Sequence, residues 1–133
     1  MLRLAAACAL GRLVGRLSRL AGRGGSALPG LVAEKVDPRA IERLVAPVRR
    51  GVLVVTGTNG KTTTTALVAH LLQAAGIGAA AVGNIGRALA EYARAPGDER
   101  WLALELSSFQ LHDTHHLRLD VGLLTNLAPD HLD

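Results

Sequence analysis

Thr56-Gly57-Thr58-Asn59-Gly60-Lys61-Thr62-Thr63 is the stretch of this 133-residue chain best suited to chemistry. Glycines let backbone N–H groups approach phosphate oxygens closely, and a helix N-terminus favours negative charge. Lys61 is placed to reach β- and γ-phosphates, and the Thr62 hydroxyl to serve a magnesium ion. Gly57, Thr58, Asn59, Gly60 and Thr63 complete the candidate nucleotide-binding set. One departure from the general pattern is Val55, where a glycine is expected. The bland alternative is a glycine-rich turn carrying a solvated lysine.

Three further polar clusters follow in order. Gly83-Asn84-Ile85-Gly86 alone is weak, because such stretches are common turns. Glu105-Leu106-Ser107-Ser108-Phe109-Gln110 is more telling, since Glu105 ends the otherwise apolar run Trp101–Leu104. A carboxylate there costs free energy unless it is paired or bound to metal; the alternative is an exposed strand end. Asn126-Leu127-Ala128-Pro129-Asp130-His131 offers a His and an Asp side by side. His112, His115 and His116 fall on a loop or helix and receive no role.

The elements that must position these residues can be read from the pattern. Gly51–Thr56 is a short apolar run, as expected of a buried parallel strand. A helix over Lys61–Ala75, closed by Gly76, comes next. A strand over Ile77–Val82, a helix over Ile85–Arg94 and strands over Trp101–Leu106 and Asp120–Thr125 complete the series. Strands alternating with helices predict an α/β fold, a parallel sheet flanked by helices. Each polar cluster then follows a strand, so all four lie along the carboxyl edge of the sheet, where ligands of open α/β sheets bind.

The first 50 residues read differently and form a separate helical segment, with 51–133 as the second region. Over residues 2–22, Ala6, Leu10, Leu13, Leu17 and Leu20 recur at helical spacing. The arginines fall mainly on the other faces. One reading packs this leucine face on the protein itself or a partner; the other lays a basic amphipathic helix on an anionic membrane surface. Gly22–Gly30 reads as a linker. Asp37-Pro38 starts a short helix to Val45, with Asp37 as N-cap.

Composition sets the outer limits. Three aromatic residues, Trp101, Tyr92 and Phe109, are too few for recognition of bases by stacking. The net charge of +4 is concentrated at the front, on one leading helix, which argues against nucleic acid as a partner. A single cysteine, Cys8, excludes a disulfide framework or cysteine zinc site within the chain. No apolar run nears the roughly 20 residues that span a bilayer, and the Met1–Leu10 start lacks a clear signal-peptide cleavage site. Use of ATP points to the cytoplasm.

The order GTNGKTTTT, GNIG, ELSSFQL, NLAPDHLD resembles the central ATP-binding domain of the Mur ligase family over about residues 51–133. The first motif is shared with folylpolyglutamate synthases and cyanophycin synthetases; the last two are most similar to the glutamate-adding branch. The resemblance implies ATP and Mg²⁺ as cofactors and a phosphate-binding-loop fold. It implies catalytic roles for Lys61, Glu105 and His131, with Thr62, Glu105 and His131 on metal. Asn84, Ser107 and Gln110 would face a UDP-linked muramoyl precursor. The implied reaction phosphorylates a substrate carboxylate and lets an amino acid's amine displace phosphate.

Two features depart from the family pattern. Its uridine-binding domain should precede the loop, and residues 1–50 do not read as that domain. LGRLVGRLSRLAGRGGSALPG instead resembles the start of Mur-like subunits that act on lipid II, which makes a lipid-linked substrate at the inner membrane face the alternative. The family's carbamylated lysine and amino-acid-binding domain are expected after Asp133, so the resemblance implies a fragment that needs further domains or a partner chain for activity. On that reading the 133 residues alone bind nucleotide without ligating.

Overall fold

The computed structural model describes residues 2–20, 27–48, 50–85, 87–93 and 101–129. Three helices lead: α1 (Leu2–Leu20), α2 (Ala27–Val36) and α3 (Ala40–Val45). The alternating part follows as β1 (Gly51–Thr56), α4 (Lys61–Ala74), β2 (Ala79–Gly83), α5 (Leu89–Tyr92), β3 (Trp101–Glu105), α6 (Ser108–Asp113) and β4 (Val121–Leu124). The four strands form one sheet in the order β2-β3-β1-β4, and every pairing is parallel. The expected α/β architecture is what the chain adopts.

Strand periodicity sorts the side chains into two layers. Val52, Val54, Val82, Leu102 and Leu104 share one face and form a single core with Ile41, Val45, Leu89, Tyr92 and Leu106. Thus α3 and α5 cover that face. The opposite face is lined by small or branched residues such as Val55, Ala79 and Ala103, all buried. Helix α4 lies over it, contributing buried Thr65 and Ala69. Register fixes the carboxyl edge: Val55 pairs with Glu105, and Glu105 with Gly83. Backbone bonds extend the ladders beyond the strands, from Leu106 N to Val55 O (3.1 Å) and from Thr125 N to Thr56 O (3.0 Å).

Four expectations need correction. Residues 27–30 are not linker but the first turn of α2. Pro29 is tolerated there because first-turn N–H groups have no intrahelical partner anyway. Asp37 does not cap α3; Arg39 occupies that position, without a side-chain cap. The Asp37 carboxylate instead accepts from Arg39 N (3.1 Å) and from Arg43 Nη1 (2.6 Å). Of the helix expected over 85–94, the described residues form only α5, with Gly86 and Arg94 outside them. Arg87 bridges to Val82 and its carbonyl accepts from Gly83 N (3.2 Å), so the chain there extends the sheet before it coils.

The fourth concerns α1. Its leucine face does not pack on any described element: Ala6, Leu10, Leu13, Leu17 and Leu20 are all exposed, which removes packing on the chain itself and leaves a partner or a membrane surface. The buried face is Ala7, Cys8, Gly11 and Gly15, turned toward α2. The reason is close approach. A Cβ on Gly11 would lie 2.8 Å from Pro29 O, and one on Gly15 3.3 Å from Pro29 Cγ. Two helix backbones meet there across small residues, which leaves the bulky stripe outside.

Candidate nucleotide site at the carboxyl edge of the sheet

The loop from Thr56 to Gly60 joins β1 to α4, and Lys61, Thr62 and Thr63 open the helix. Two glycines make the turn possible. Gly57 has φ 127° and Gly60 has φ 79°, both in the region that L-residues rarely adopt. They differ in surroundings. A Cβ on Gly57 would stand 2.3 Å from Thr125 Oγ1 and 2.8 Å from Asn126 O, whereas Gly60 faces open space. Lys61 folds back, its Nζ donating to the carbonyls of Gly57 and Thr58 at 2.8 Å each. Thr62 and Thr63 are exposed, and Thr65 Oγ1 donates to Lys61 O (2.8 Å).

The loop is held from the side by the segment after β4. Thr58 N donates to Asn126 O (3.1 Å). Asn59 N donates to Asn126 Oδ1 (2.9 Å), and Asn126 Nδ2 returns a bond to Asn59 O (3.1 Å). Thr125 Oγ1 donates to Asn59 O (2.7 Å), and Ala128 N to Thr58 Oγ1 (3.1 Å). Sequence reading singled out Asn126 only as part of a cluster and missed Thr125. The signal was their place directly beyond a strand paired with β1.

Glu105 ends β3 on the sheet face that carries α4, since it alternates with Leu104. It is 4% exposed, and its Oε2 has no hydrogen-bond partner among the described residues. An orphaned buried carboxylate oxygen beside the entrance to the loop suits a cation, and a magnesium–triphosphate complex would supply one. Among the described residues no cluster of three His, Cys, Asp or Glu forms a protein-only metal cage. His131, the other expected metal ligand, lies outside the described residues, as does Gly86.

Asn84, Ser107 and Gln110 come together on the β2–β3 side of the edge. Ser107 caps α6 in a reciprocal capping box with Gln110. Gln110 Oε1 accepts from Asn84 Nδ2 (2.7 Å), Ser107 Oγ (3.1 Å) and Ser107 N (3.2 Å). Asn84 and Gln110 are buried, while Ser107 is half-buried. Helix α2 lies over this group at Gly30. One turn further along the same face of α2, Glu34 is buried, and neither carboxylate oxygen has a hydrogen-bond partner among the described residues. Burial, then the nearby Asp113 charge, pushes the Glu34 carboxyl up to about 7. Nothing in the sequence pattern marked Glu34.

Comparison with known proteins supplies the family and the fold. Residues 55–133 match the Mur ligase middle domain. The chain is 55% identical over 80 residues to the UDP-N-acetylmuramoylalanine–D-glutamate ligase of Paramagnetospirillum magneticum, covering 60% of this chain and 17% of that protein. It is also 55% identical over 85 residues to the enzyme of the same name from Corynebacterium diphtheriae, covering 64% and 18%. The chain thus spans under a fifth of the length of either relative. A solved UDP-N-acetylmuramoyl-L-alanyl-D-glutamate–2,6-diaminopimelate ligase superposes with a TM-score of 0.51 at 24% identity, covering 76% of this chain and 25% of that one, which speaks for the fold. The motif order, the parallel sheet and the match over residues 55–133 place the chain in the Mur ligase family.

Proposed function

We propose that this chain is the nucleotide-binding part of an ATP-dependent amide ligase of peptidoglycan precursor synthesis, working in the cytoplasm. The best-supported reaction joins D-glutamate to UDP-N-acetylmuramoyl-L-alanine. The γ-phosphoryl group of ATP passes to the precursor's carboxylate with release of ADP. The amine of glutamate then attacks the acyl phosphate, phosphate leaves, and an amide remains. The relatives' names support the substrates, and the observation that carries the site is Lys61 folded onto the carbonyls of Gly57 and Thr58, in the loop that follows the strand whose Val55 pairs with buried Glu105.

On this reading Gly57 to Thr63 cradle the phosphates, and Lys61 exchanges two loop carbonyls for phosphate oxygens. Thr62, Glu105 and His131 would hold magnesium, which supplies charge neutralisation at the transferring phosphoryl group. Ser107 is the accessible member of the substrate side; Asn84 and Gln110 hold it in place. Titration calorimetry with MgATP tests the reading. Binding by the parent and its loss in Lys61→Ala are expected; equal affinity in the two proteins sinks it.

A second reading, a Mur-like chain acting on a lipid-linked precursor, is favoured by one observation: the exposed leucine face of α1. Turnover of lipid II in place of the soluble UDP-linked precursor by the full-length gene product would select it.

A further inference from the structure

Helix α1 has two unlike sides. One is closed against α2 through Ala7, Cys8, Gly11 and Gly15. The opposite side carries Leu10, Leu13, Leu17 and Leu20, exposed by 46, 54, 56 and 85%. No described element covers them, and Leu2 adds to the stripe at 90%. An uncovered stripe of bulky leucines along a whole helix is a docking surface, not scattered exposure.

The charges say what docks there. Helix α1 contains arginines at positions 3, 12, 16 and 19 and no acidic residue. Arg3 and Arg16 are exposed and Arg12 partly so. A second copy of the same helix laid on the stripe would bring two sets of arginines together with no carboxylate between them. An apolar interior bordered by negative charge satisfies both features. No described helix is long and apolar enough to cross a membrane. We propose that α1 lies flat on an anionic lipid surface, the Leu10–Leu13–Leu17–Leu20 stripe toward the acyl chains and Arg3, Arg12 and Arg16 among the headgroups.

The glycine face supports this geometry. Because α1 is fastened to α2 by backbone approach, its leucines need not be withdrawn from a core for the helix to bind. The surface is independent of nucleotide binding, so a Lys61→Ala chain should bind lipid like its parent.

Flotation of the full chain with phosphatidylglycerol-containing vesicles, against pure phosphatidylcholine vesicles, tests the proposal. The parent should rise with the anionic vesicles and stay behind with the neutral ones. Leu13→Glu/Leu17→Glu should lower partition by at least about tenfold. Arg3→Gln/Arg16→Gln should lower it by about fivefold per position. Both pairs are exposed, so unchanged thermal transitions are expected to confirm folding. The proposal is overturned if the parent stays soluble with anionic vesicles, or if the leucine variant floats like the parent. It is equally overturned if light scattering shows a dimer that the leucine variant dissolves while neither floats, since a second copy then covers the stripe.

Discussion

Gly30 of α2 stands directly against the side chain of Gln110 on α6: a Cβ at position 30 would lie 2.2 Å from Gln110 Nε2. The end of a glutamine usually yields to such pressure. Here its other terminal atom already accepts three hydrogen bonds, from Asn84 and twice from Ser107. Turning the amide away breaks that set. Gly30→Ala is therefore expected to destabilise the chain by about 1–3 kcal/mol, as overpacking does. Urea unfolding of Gly30→Ala, Gln110→Ala and the double variant checks the cause. The double variant should be more stable than the sum of the single losses predicts, and strict additivity would mean the two residues are not in contact.

The brace from beyond β4 leads to a second prediction, which rests on the nucleotide reading. Asn126 exchanges two hydrogen bonds with the backbone of Asn59. Its side chain is exposed, so its removal should leave the fold nearly intact. The loop loses pre-organisation instead, and each lost bond is worth about 0.5–1.5 kcal/mol. Asn126→Ala should weaken MgATP binding by about tenfold while shifting the unfolding midpoint little. Calorimetry and urea unfolding on the same preparation separate the two effects; full nucleotide affinity would show that the brace does not set the loop.

Glu34 yields a prediction in pH. Its folded-state carboxyl is pushed up to about 7, above the ordinary 4.5. A raised acid stays protonated in the folded chain while the unfolded chain has already ionised. Stability from this group is therefore complete below about pH 4.5 and declines as pH rises toward about 7, with no further loss above. Glu34→Gln removes the dependence. The variant should match the parent at pH 4 and exceed it by about 1 kcal/mol at pH 8, with solvent screening allowed for. Thermal unfolding at both pH values gives the comparison. A parent curve flat between pH 4.5 and 7 would show that Glu34 finds a partner in solution.

These residues also show where sequence reading succeeds and stops. The loop, the strands and Glu105 were legible because each depends on local pattern: an apolar run, a glycine-rich turn, a carboxylate where only apolar residues belong. Helix α2 was hidden because Pro29 and Gly30 read as breakers, yet Pro29 sits in the first turn and Gly30 is needed for contact with Gln110. The glycine face by which α1 packs on α2 was hidden for a related reason. Periodicity ranks the leucine side highest, whereas helices that approach through backbone bury glycine and alanine. Asn126 and Asn59 are 67 residues apart, and their pairing follows only from the β1–β4 register.

Glu105 sets stability and function against each other. Its buried Oε2 lacks a partner, so the carboxylate is a cost to the bare fold. If it serves the magnesium of bound nucleotide, the cost is recovered only on binding. Glu105→Gln keeps the shape and removes the charge. It is expected to leave the ligand-free chain at least as stable as the parent, and more stable by about 1 kcal/mol if the new amide finds a carbonyl. The same change should reduce magnesium-dependent ATP affinity by about tenfold or more, the worth of one charged contact, while affinity measured in EDTA changes little. Calorimetry with and without magnesium, beside urea unfolding of the free proteins, reads both sides. A Gln variant that loses stability and keeps its magnesium response would make Glu105 a structural residue and leave the metal to Thr62 and the phosphates.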